Sequence, residues 1–383
     1  MSKKYRYPCT RKVTIDGFAA FLEANIATSR QNINDFANEL GARFGAGKMT
    51  LVNSGSSANL VAALTLAEQL KAEGRPLAAF ASAYTFPTTL SALLMAGFSI
   101  RLLDTEADGF NLCPLALEKA FSRHPATLVC VTHFLGFPAK MAVLAPIARK
   151  NGAKILQDAC ETMNLRTTDG KPMHTLGDMT TWSFYHPHHL SSYGGGAAIS
   201  NETATHELAD SIAHWGRACT CHINPSTCRA PAGFSHNFTY LRPGLNVEMS
   251  ELNACFGRFQ LRQWDAMEQA RKERYATLYD ALSGLSGITV YPADEKQGSP
   301  FVFPITCNGM DAAKAVEKLG TLGMECRSLM GGAMTEQPAF KALPNDGNAN
   351  AKTMARGSFF VGIHQTLPLD DVRDMASLLR SIF

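Results

Sequence analysis

The sequence lacks several features that would assign it to common classes of protein. Its longest apolar runs, such as residues 92–96, are too short to span a bilayer, and no signal-peptide core follows the basic start of the chain. Basic residues form no block, and the formal net charge is only +3, so the pattern does not favour nucleic-acid binding. We therefore expect a soluble, cytoplasmic protein that binds neither membrane nor nucleic acid.

Two residue types are scarce in ways that matter for the chemistry. Ten cysteines in 383 residues are too few for a disulfide scaffold, and several lie in apolar surroundings typical of buried thiols. Three others, Cys219, Cys221 and Cys228, share one polar stretch, where a reducing compartment favours metal binding over disulfides. Lysine is absent from the whole stretch between Lys171 and Lys272.

The residues that are present predict an α/β protein. Hydrophobic residues make up 46% and charged residues 18%, which suits a well-buried globular chain. Between about residues 30 and 240, short apolar runs alternate with helical patterns, which predicts a mainly parallel sheet with helices on both faces. The predicted strands are Met49–Asn53, Leu77–Ala81, Ser99–Leu103, Thr127–His133, Lys154–Asp158, Thr180–Phe184 and Ala197–Ser200.

We expect two domains. Residues 1–250 form a large domain, and residues 251–383 contain a long linking helix, predicted over residues 250–282, and a smaller C-terminal α+β domain. In the smaller domain we predict strands near Ile288–Tyr291 and Phe301–Ile305 and helices at residues 311–322 and 369–382.

Candidate ligand-binding residues follow the predicted strands, at the edge of the sheet where α/β proteins bind ligands. Gly55 and Ser56 stand at a strand-to-helix junction that could bind a phosphate, or that could be an ordinary helix N-cap. Asp158 could keep an aromatic ring nitrogen protonated, or it could be a turn residue. Glu161 is a candidate proton carrier or a surface charge, and Phe86 could stack on a ring or belong to the core.

The segment Ser183–Leu190, followed by Gly194–Gly196, has the layout of the cofactor-anchoring loop of vitamin B6 enzymes. In most of those enzymes, a lysine five residues after the serine forms a Schiff base with pyridoxal phosphate. Here that position is His188. We therefore expect the protein to hold the amine form, pyridoxamine 5′-phosphate, and to use His188 for proton transfer.

Taken together in this order and spacing, these motifs resemble the DegT/DnrJ/EryC-type sugar aminotransferases, a fold type I family with an aspartate aminotransferase-like fold. The resemblance narrows at the segment Ser-Phe-Tyr-x-x-His-His, which is similar to 3-dehydratases of nucleotide-linked 4-keto-6-deoxyhexoses. Where the family often has Glu-Gly-Gly, this chain has Gly194–Gly196.

The resemblance also implies roles for individual residues. The implied cofactor-binding residues are Gly55, Ser56, Phe86, Asp158, Ser183 and Asn246. The first two and Ser183 would hold the phosphate, and Asn246 would reach the phosphate of the neighbouring subunit in a homodimer. His188 would be the catalytic base, with Glu161 as a second proton carrier.

The cysteines resemble those of the iron–sulfur CDP-6-deoxy-4-hexulose 3-dehydrase branch. That resemblance implies a [2Fe–2S] cluster on Cys160, Cys219, Cys221 and Cys228, since four thiolates are the usual ligand set. Cys160 is only two residues from Asp158, at most about 7 Å along an extended chain, so a cluster would lie near the cofactor ring. The alternatives are a structural zinc site and unligated thiols.

These expectations define a function: removal of the 3-hydroxyl from a nucleotide-linked 4-keto-6-deoxyhexose. Electrons would come through the cluster from a separate NAD(P)H-dependent iron–sulfur flavoprotein reductase, because the chain has no dinucleotide-binding fingerprint. One alternative is a cluster-free dehydratase that takes its amine from glutamate and releases ammonia. Another is a non-catalytic binding protein on the same fold.

Overall fold

The computed structural model describes residues 5–10, 13–27, 30–219 and 238–383. Within these residues the N-terminal part contains seven strands. Their bounds are β1 Lys48–Val52, β2 Ala78–Ser82, β3 Ser99–Leu103, β4 Leu128–Thr132, β5 Lys154–Asp158, β6 Met179–Ser183 and β7 Gly196–Ser200. They form one sheet in the order β1-β7-β6-β5-β4-β2-β3.

This sheet is mainly parallel, as predicted. Strands β3, β2, β4, β5 and β6 pair in parallel, whereas β7 runs antiparallel to both β6 and β1. The exception follows from the connection, because residues 184–195 between β6 and β7 contain no crossover helix, and a parallel pair needs a longer crossover. That short loop carries His188.

Helices cover both faces of the sheet, so its strands are apolar on both sides. The helices of the N-terminal part are α1 Phe18–Asn25, α2 Gln31–Phe44, α3 Gly55–Ala72, α4 Pro87–Met95, α5 Pro114–Phe121, α6 Met141–Lys150 and α7 Thr203–Ala213. Strand β4 shows the alternation: Cys130 joins one buried apolar cluster, and its neighbours Val129 and Val131 join another. The described helices include none that is both long and apolar enough to cross a membrane.

A second, antiparallel sheet lies in the C-terminal part. Its strands are β8 Ile288–Val290, β9 Phe303–Cys307, β10 Cys326–Ser328 and β11 Ser358–Val361, in the order β10-β11-β9-β8. The helices that follow α7 are α8 Glu251–Leu261, α9 Trp264–Leu282, α10 Ala312–Thr321, α11 Ala349–Gly357 and α12 Leu369–Ile382. Tyr7 bridges to Met324, so the start of the chain also contacts this C-terminal part.

The prediction of one long helix over residues 250–282 was wrong, because α8 and α9 are separate helices. Gln263, at the break, has φ −101° and ψ 6°, and its N–H donates to the Gln260 carbonyl at 3.0 Å. The two helices pack against different partners, α8 against α2 and α9 against α12. Neither proline nor glycine marks the break, so the sequence pattern alone did not reveal it.

Candidate active site

A cavity of about 720 Å³ lies at the carboxyl ends of the parallel strands. Its lining brings together most of the residues that the sequence singled out, from segments far apart in the chain. These residues are Gly55, Ser56, Phe86, Asp158, Cys160, Glu161, Ser183 and His188. The antiparallel sheet and its approaches contribute Cys9, Thr10, Phe301, Arg327, Ser328, Met330 and Phe360.

One end of the cavity is formed by the N-terminus of α3. Ser54 caps this helix by accepting a hydrogen bond from the Ser57 N–H at 3.1 Å. A Cβ at Gly55 would lie 2.6 Å from the Ser183 Cβ and 2.9 Å from the Cys160 Sγ, so only glycine fits there. Backbone N–H groups at a helix N-terminus attract anions, and this end of the cavity can therefore accept a phosphate.

Asp158 ends β5 and is 3% exposed. Its Oδ2 accepts hydrogen bonds from the Asn59 amide at 2.8 Å and from the Thr89 hydroxyl at 2.6 Å, and its Oδ1 accepts the Cys160 N–H at 3.0 Å. The Thr181 hydroxyl donates to the Asn59 Oδ1 at 2.6 Å and so fixes the orientation of that amide. Asp158 is therefore a fixed carboxylate at the bottom of the cavity, suited to a cationic N–H group of a ligand.

Two residues of the network around Asp158 carried no predicted role: Thr89, which donates to the carboxylate, and Thr181, which donates to Asn59. Asn59 lies in α3, shortly after Gly55 and Ser56, and it also carried no predicted role. Thr89 lies in α4 and Thr181 lies in β6. The Thr89 hydroxyl reaches the carboxylate, and the Thr181 hydroxyl reaches Asn59, only through the arrangement of the sheet and its helices, and a single sequence gives no signal for that.

Glu161 is buried beside this carboxylate. Burial raises the pKa of Glu161 to about 8, and the negative charge of Asp158 adds to the rise. The Leu135 N–H donates a hydrogen bond to the carboxyl group at 2.6 Å, which partly lowers this pKa. Leu135 has a left-handed backbone with φ 55°, a strained conformation for leucine that places its N–H on the carboxyl group. Glu161 thus carries a proton near neutral pH and is not a surface charge.

His188 lies in the β6–β7 loop, half-buried at the cavity wall. Its ring lies edge-on to Phe301, with ring centroids 5.2 Å apart and an interplanar angle of 88°. His189 is buried, with its Nε2 2.9 Å from the Ser299 carbonyl, and His186 stacks on Tyr193. Of these three histidines, His188 is the one that lines the cavity.

Phe86 is 45% exposed and lines the cavity at the start of α4. A core role for this ring is therefore excluded, and its face is available to a planar ligand. Asn246 is not in the lining; it forms a backbone bridge with His214. Its predicted reach into a neighbouring subunit stays a prediction.

The four predicted cluster ligands have different surroundings. Cys160 lines the cavity with a free thiol, and burial, with the charge of Asp158 adding, raises the pKa of Cys160 well above its usual value. Cys219 is buried. Cys221 and Cys228 lie outside the described residues. Among the described residues, no group of three or more His, Cys, Asp or Glu side chains could hold a metal ion.

The wall of the cavity formed by the C-terminal part carries a positive charge that the sequence did not reveal. Arg327 in β10 lines the cavity and pairs with Glu325, its Nη2 lying 2.6 Å from the Glu325 Oε1. The other oxygen of Glu325 accepts the Cys9 N–H at 2.8 Å. Arg327 is the only Lys or Arg among the described residues that line the cavity.

A profile of the DegT/DnrJ/EryC1/StrS aminotransferase family matches residues 8–380. The chain belongs to this family. It is 30% identical over 366 residues to dTDP-4-dehydro-2,6-dideoxy-D-glucose 3-dehydratase of Saccharopolyspora spinosa, covering 90% of this chain and 78% of that protein. It is 26% identical over 387 residues to the lipopolysaccharide biosynthesis protein RfbH of Salmonella typhimurium, covering 95% of this chain and 87% of that protein.

The fold matches a solved structure of a pyridoxal-phosphate-binding protein. GDP-4-keto-6-deoxy-D-mannose-3-dehydratase of Escherichia coli, with bound hydrated PLP, superposes with a TM-score of 0.86 at 21% identity, covering 98% of this chain and 99% of that one. The predicted family and the fold type I architecture are thereby confirmed. Relatives of two kinds, sugar 3-dehydratases and sugar transaminases, match the chain, so it is an enzyme of pyridoxal-phosphate-dependent sugar chemistry.

Proposed function

We propose that the protein is a pyridoxamine-phosphate-dependent dehydrase that removes the 3-hydroxyl of a nucleotide-linked 4-keto-6-deoxyhexose. The observation that carries this proposal is the identity of the residue at 188. A histidine lines the cavity there, and none of the described lining residues is a lysine. A cofactor held in the amine form, with no covalent bond to the protein, suits dehydration better than transamination. In transamination a lysine forms a Schiff base with the cofactor between the two half-reactions, and no lysine is available for that here.

The residues of the cavity fit such a cofactor. Gly55 has no side chain and lies against Ser183, so its backbone is open to the cavity. Gly55, Ser56 and Ser183 would hold the phosphate there. Phe86 offers an exposed ring face, and the Asp158 carboxylate would accept a hydrogen bond from the ring nitrogen. When bound, the cofactor supplies an amine for the sugar ketone and a protonated ring that accepts electrons.

Two side chains would move protons. The imidazole of His188 would accept a proton from the methylene carbon that carries the cofactor amine. The Glu161 carboxyl, protonated at neutral pH because its pKa is raised to about 8, would donate a proton to the departing 3-hydroxyl. The two groups line one cavity, so both can act on one bound substrate.

For reduction of the dehydrated sugar, we propose a [2Fe–2S] cluster on Cys160, Cys219, Cys221 and Cys228 that takes electrons from an NAD(P)H-dependent iron–sulfur flavoprotein reductase. The position of Cys160 supports this, since its thiol lines the cavity and its N–H donates to Asp158. A cluster there would supply single electrons close to the cofactor ring. We also propose a homodimer in which Asn246 reaches the phosphate of the cofactor in the neighbouring subunit.

A second candidate is a cluster-free 3-dehydratase that takes its amine from glutamate and releases ammonia. A solved structure of the same fold favours it, since GDP-4-keto-6-deoxymannose-3-dehydratase was captured with a trapped PLP-glutamate geminal diamine. Iron and sulfide analysis of anaerobically purified protein separates the candidates. About two iron atoms per chain, lost in Cys219→Ser, support the cluster; ammonia release driven by glutamate in iron-free protein supports the second.

His188→Asn tests the dehydration itself. We expect the rate of loss of the 3-hydroxyl to fall by a factor on the order of 10³ or more, while pyridoxamine phosphate still binds. The measurement is single-turnover conversion of a 4-keto-6-deoxy nucleotide sugar, followed by mass spectrometry, with His186→Asn as the matched control. Wild-type turnover in His188→Asn would remove His188 from the mechanism.

A further inference from the structure

A buried arginine joins the loop that carries His188 to the antiparallel sheet. Arg271 in α9 is 1% exposed. Its guanidinium donates to the Phe301 carbonyl at 2.9 Å, to the Gln365 Oε1 at 3.1 Å and to the Pro187 carbonyl at 3.4 Å. A buried charge is costly unless hydrogen bonds satisfy it, and these three acceptors come from three separate segments.

Two of the three acceptors are directly connected to His188. The Pro187 carbonyl belongs to the peptide bond that precedes His188. Phe301, whose carbonyl takes the shortest of the three bonds, packs its ring edge-on against the imidazole at 5.2 Å. Arg271 therefore holds the backbone on one side of the histidine and the aromatic wall on the other.

Phe301 is also held on its other side. Its N–H donates to the Leu135 carbonyl at 2.9 Å, and the Leu135 N–H donates to the buried Glu161. A Cβ on Gly136 would lie 2.6 Å from the Phe301 nitrogen, so the approach of these two segments requires glycine. The contacts form one connected path from Arg271 through Phe301 to both side chains proposed to move protons.

We infer that Arg271 is a positioning residue that fixes the His188 imidazole for proton transfer. This inference rests on the proposed function in so far as His188 is the base. A planar guanidinium can donate in several directions within one plane, whereas a lysine ammonium cannot reproduce that fork. The role of Arg271 is therefore specific to arginine and is more than the filling of space.

The test compares Arg271→Lys with Arg274→Lys in pyridoxamine-phosphate-loaded protein. Arg274 is a matched control, three residues further along α9, with its Nε donating to the Leu367 carbonyl at 2.7 Å and its side chain 11% exposed. We expect kcat for dehydration to fall about 10- to 100-fold in Arg271→Lys, with KM unchanged, because small errors in placement are costly to chemistry. Arg274→Lys should keep the wild-type kcat.

A double variant distinguishes positioning from a general loss of structure. Since Arg271 acts through His188, adding Arg271→Lys to His188→Asn should cause no further fall in rate. A further fall of the same size in the double variant would overturn the inference, as would a wild-type kcat in Arg271→Lys. If Arg271→Lys does not fold, Phe301→Leu, which removes the ring but keeps the carbonyl, should give the same fall in kcat with KM unchanged.

A second readout does not depend on the proposed reaction. The rate at which diethyl pyrocarbonate modifies His188, measured by peptide mass spectrometry, should rise in Arg271→Lys and stay at the wild-type value in Arg274→Lys. An unchanged rate in both variants would overturn the positioning role. If the wild-type protein dehydrates no 4-keto sugar and yet this rate responds as expected, the proposed function fails and the positioning role stands.

Discussion

The floor of the cavity and its outer wall are held in different ways. The cavity floor, defined as Asn59, Thr89, Asp158 and Thr181, is at most 3% exposed, and its side chains hydrogen-bond to one another. The outer wall, defined as Thr10, Arg327, Ser328 and Met330, is half-buried or exposed.

This difference separates two tasks. The floor residues belong to two strands of the parallel sheet and to two helices packed on it, where packing fixes each polar group, so the floor suits a cofactor whose electronics must be held constant. The outer wall stands on the antiparallel sheet and on the first residues of the chain, where exposure leaves room for different substrates. We therefore expect changes in the floor to abolish chemistry, and changes in the outer wall to alter substrate affinity.

The largest effect is expected at the centre of the floor. Asp158→Asn keeps the size of the side chain and removes the charge that would keep a ring nitrogen protonated. We expect the rate of dehydration to fall by a factor on the order of 10³, with weaker binding of pyridoxamine phosphate. Both are measured on purified protein, by single-turnover kinetics and by absorbance titration of the cofactor.

The matched control is Asp178→Asn. Asp178 lies just before β6, where its Oδ2 accepts the Ile155 N–H at 2.6 Å and an Arg149 N–H at 2.7 Å, and it is not part of the cavity lining. This variant tests the cost of losing a hydrogen-bonded aspartate outside the site. Equal losses of rate in the two variants would show that the floor has no special role.

A smaller effect is expected at Glu161. Glu161→Gln can still accept the Leu135 N–H but cannot donate a proton, so the rate should fall about 10²-fold at neutral pH. Because the acid form is the active one, wild-type activity should decrease as the pH rises through about 8. That decrease should be absent from the pH profile of the variant, and its persistence would assign it to another group.

The same residue links pH to stability. Burial raises the pKa of Glu161 from 4.5 to about 8, so its contribution to folding is complete below pH 4.5 and is lost as the pH rises through about 8. Relative to wild type, the free energy of unfolding of Glu161→Gln should rise by up to about 4 kcal/mol across that range. Urea unfolding at the two ends of the range measures it, with Glu118→Gln, a substitution of an exposed side chain in α5, as the control variant.

More of the cavity floor than of the outer wall could be predicted from the sequence. The bounds predicted for β3 and β5 match the structure, because buried parallel strands are continuous apolar runs that end at polar residues. Gly55, Asp158 and Ser183 follow or end such strands, so topology alone brought them to one edge of the sheet. The hydrogen-bond network around Asp158, which includes Thr89 and, through Asn59, Thr181, depends on side-chain packing that no periodicity encodes.

The outer wall was missed because its elements are short or polar. Strand β10, Cys326–Ser328, has only three residues. Its partner β11, Ser358–Val361, is far away in the sequence, so no local pattern indicates that the two strands pair. Residues 344–350 are rich in Asn, a composition typical of an exposed loop, yet α11 begins within them at Ala349. Arg327 therefore had no structural context in the sequence, although it places a cationic side chain in the lining of the cavity.

The smallest expected effect tests that cation. Arg327→Ala should raise KM for a nucleotide-linked sugar about three- to tenfold, because the side chain is 47% exposed and solvent weakens its contribution to binding. The value of kcat and the affinity for pyridoxamine phosphate should stay unchanged, since the floor is intact. Arg356→Ala is the control, an arginine paired with Glu336 and absent from the cavity lining. A large fall in kcat for Arg327→Ala would show that the outer wall takes part in the chemistry, and the separation of the two tasks would then be wrong.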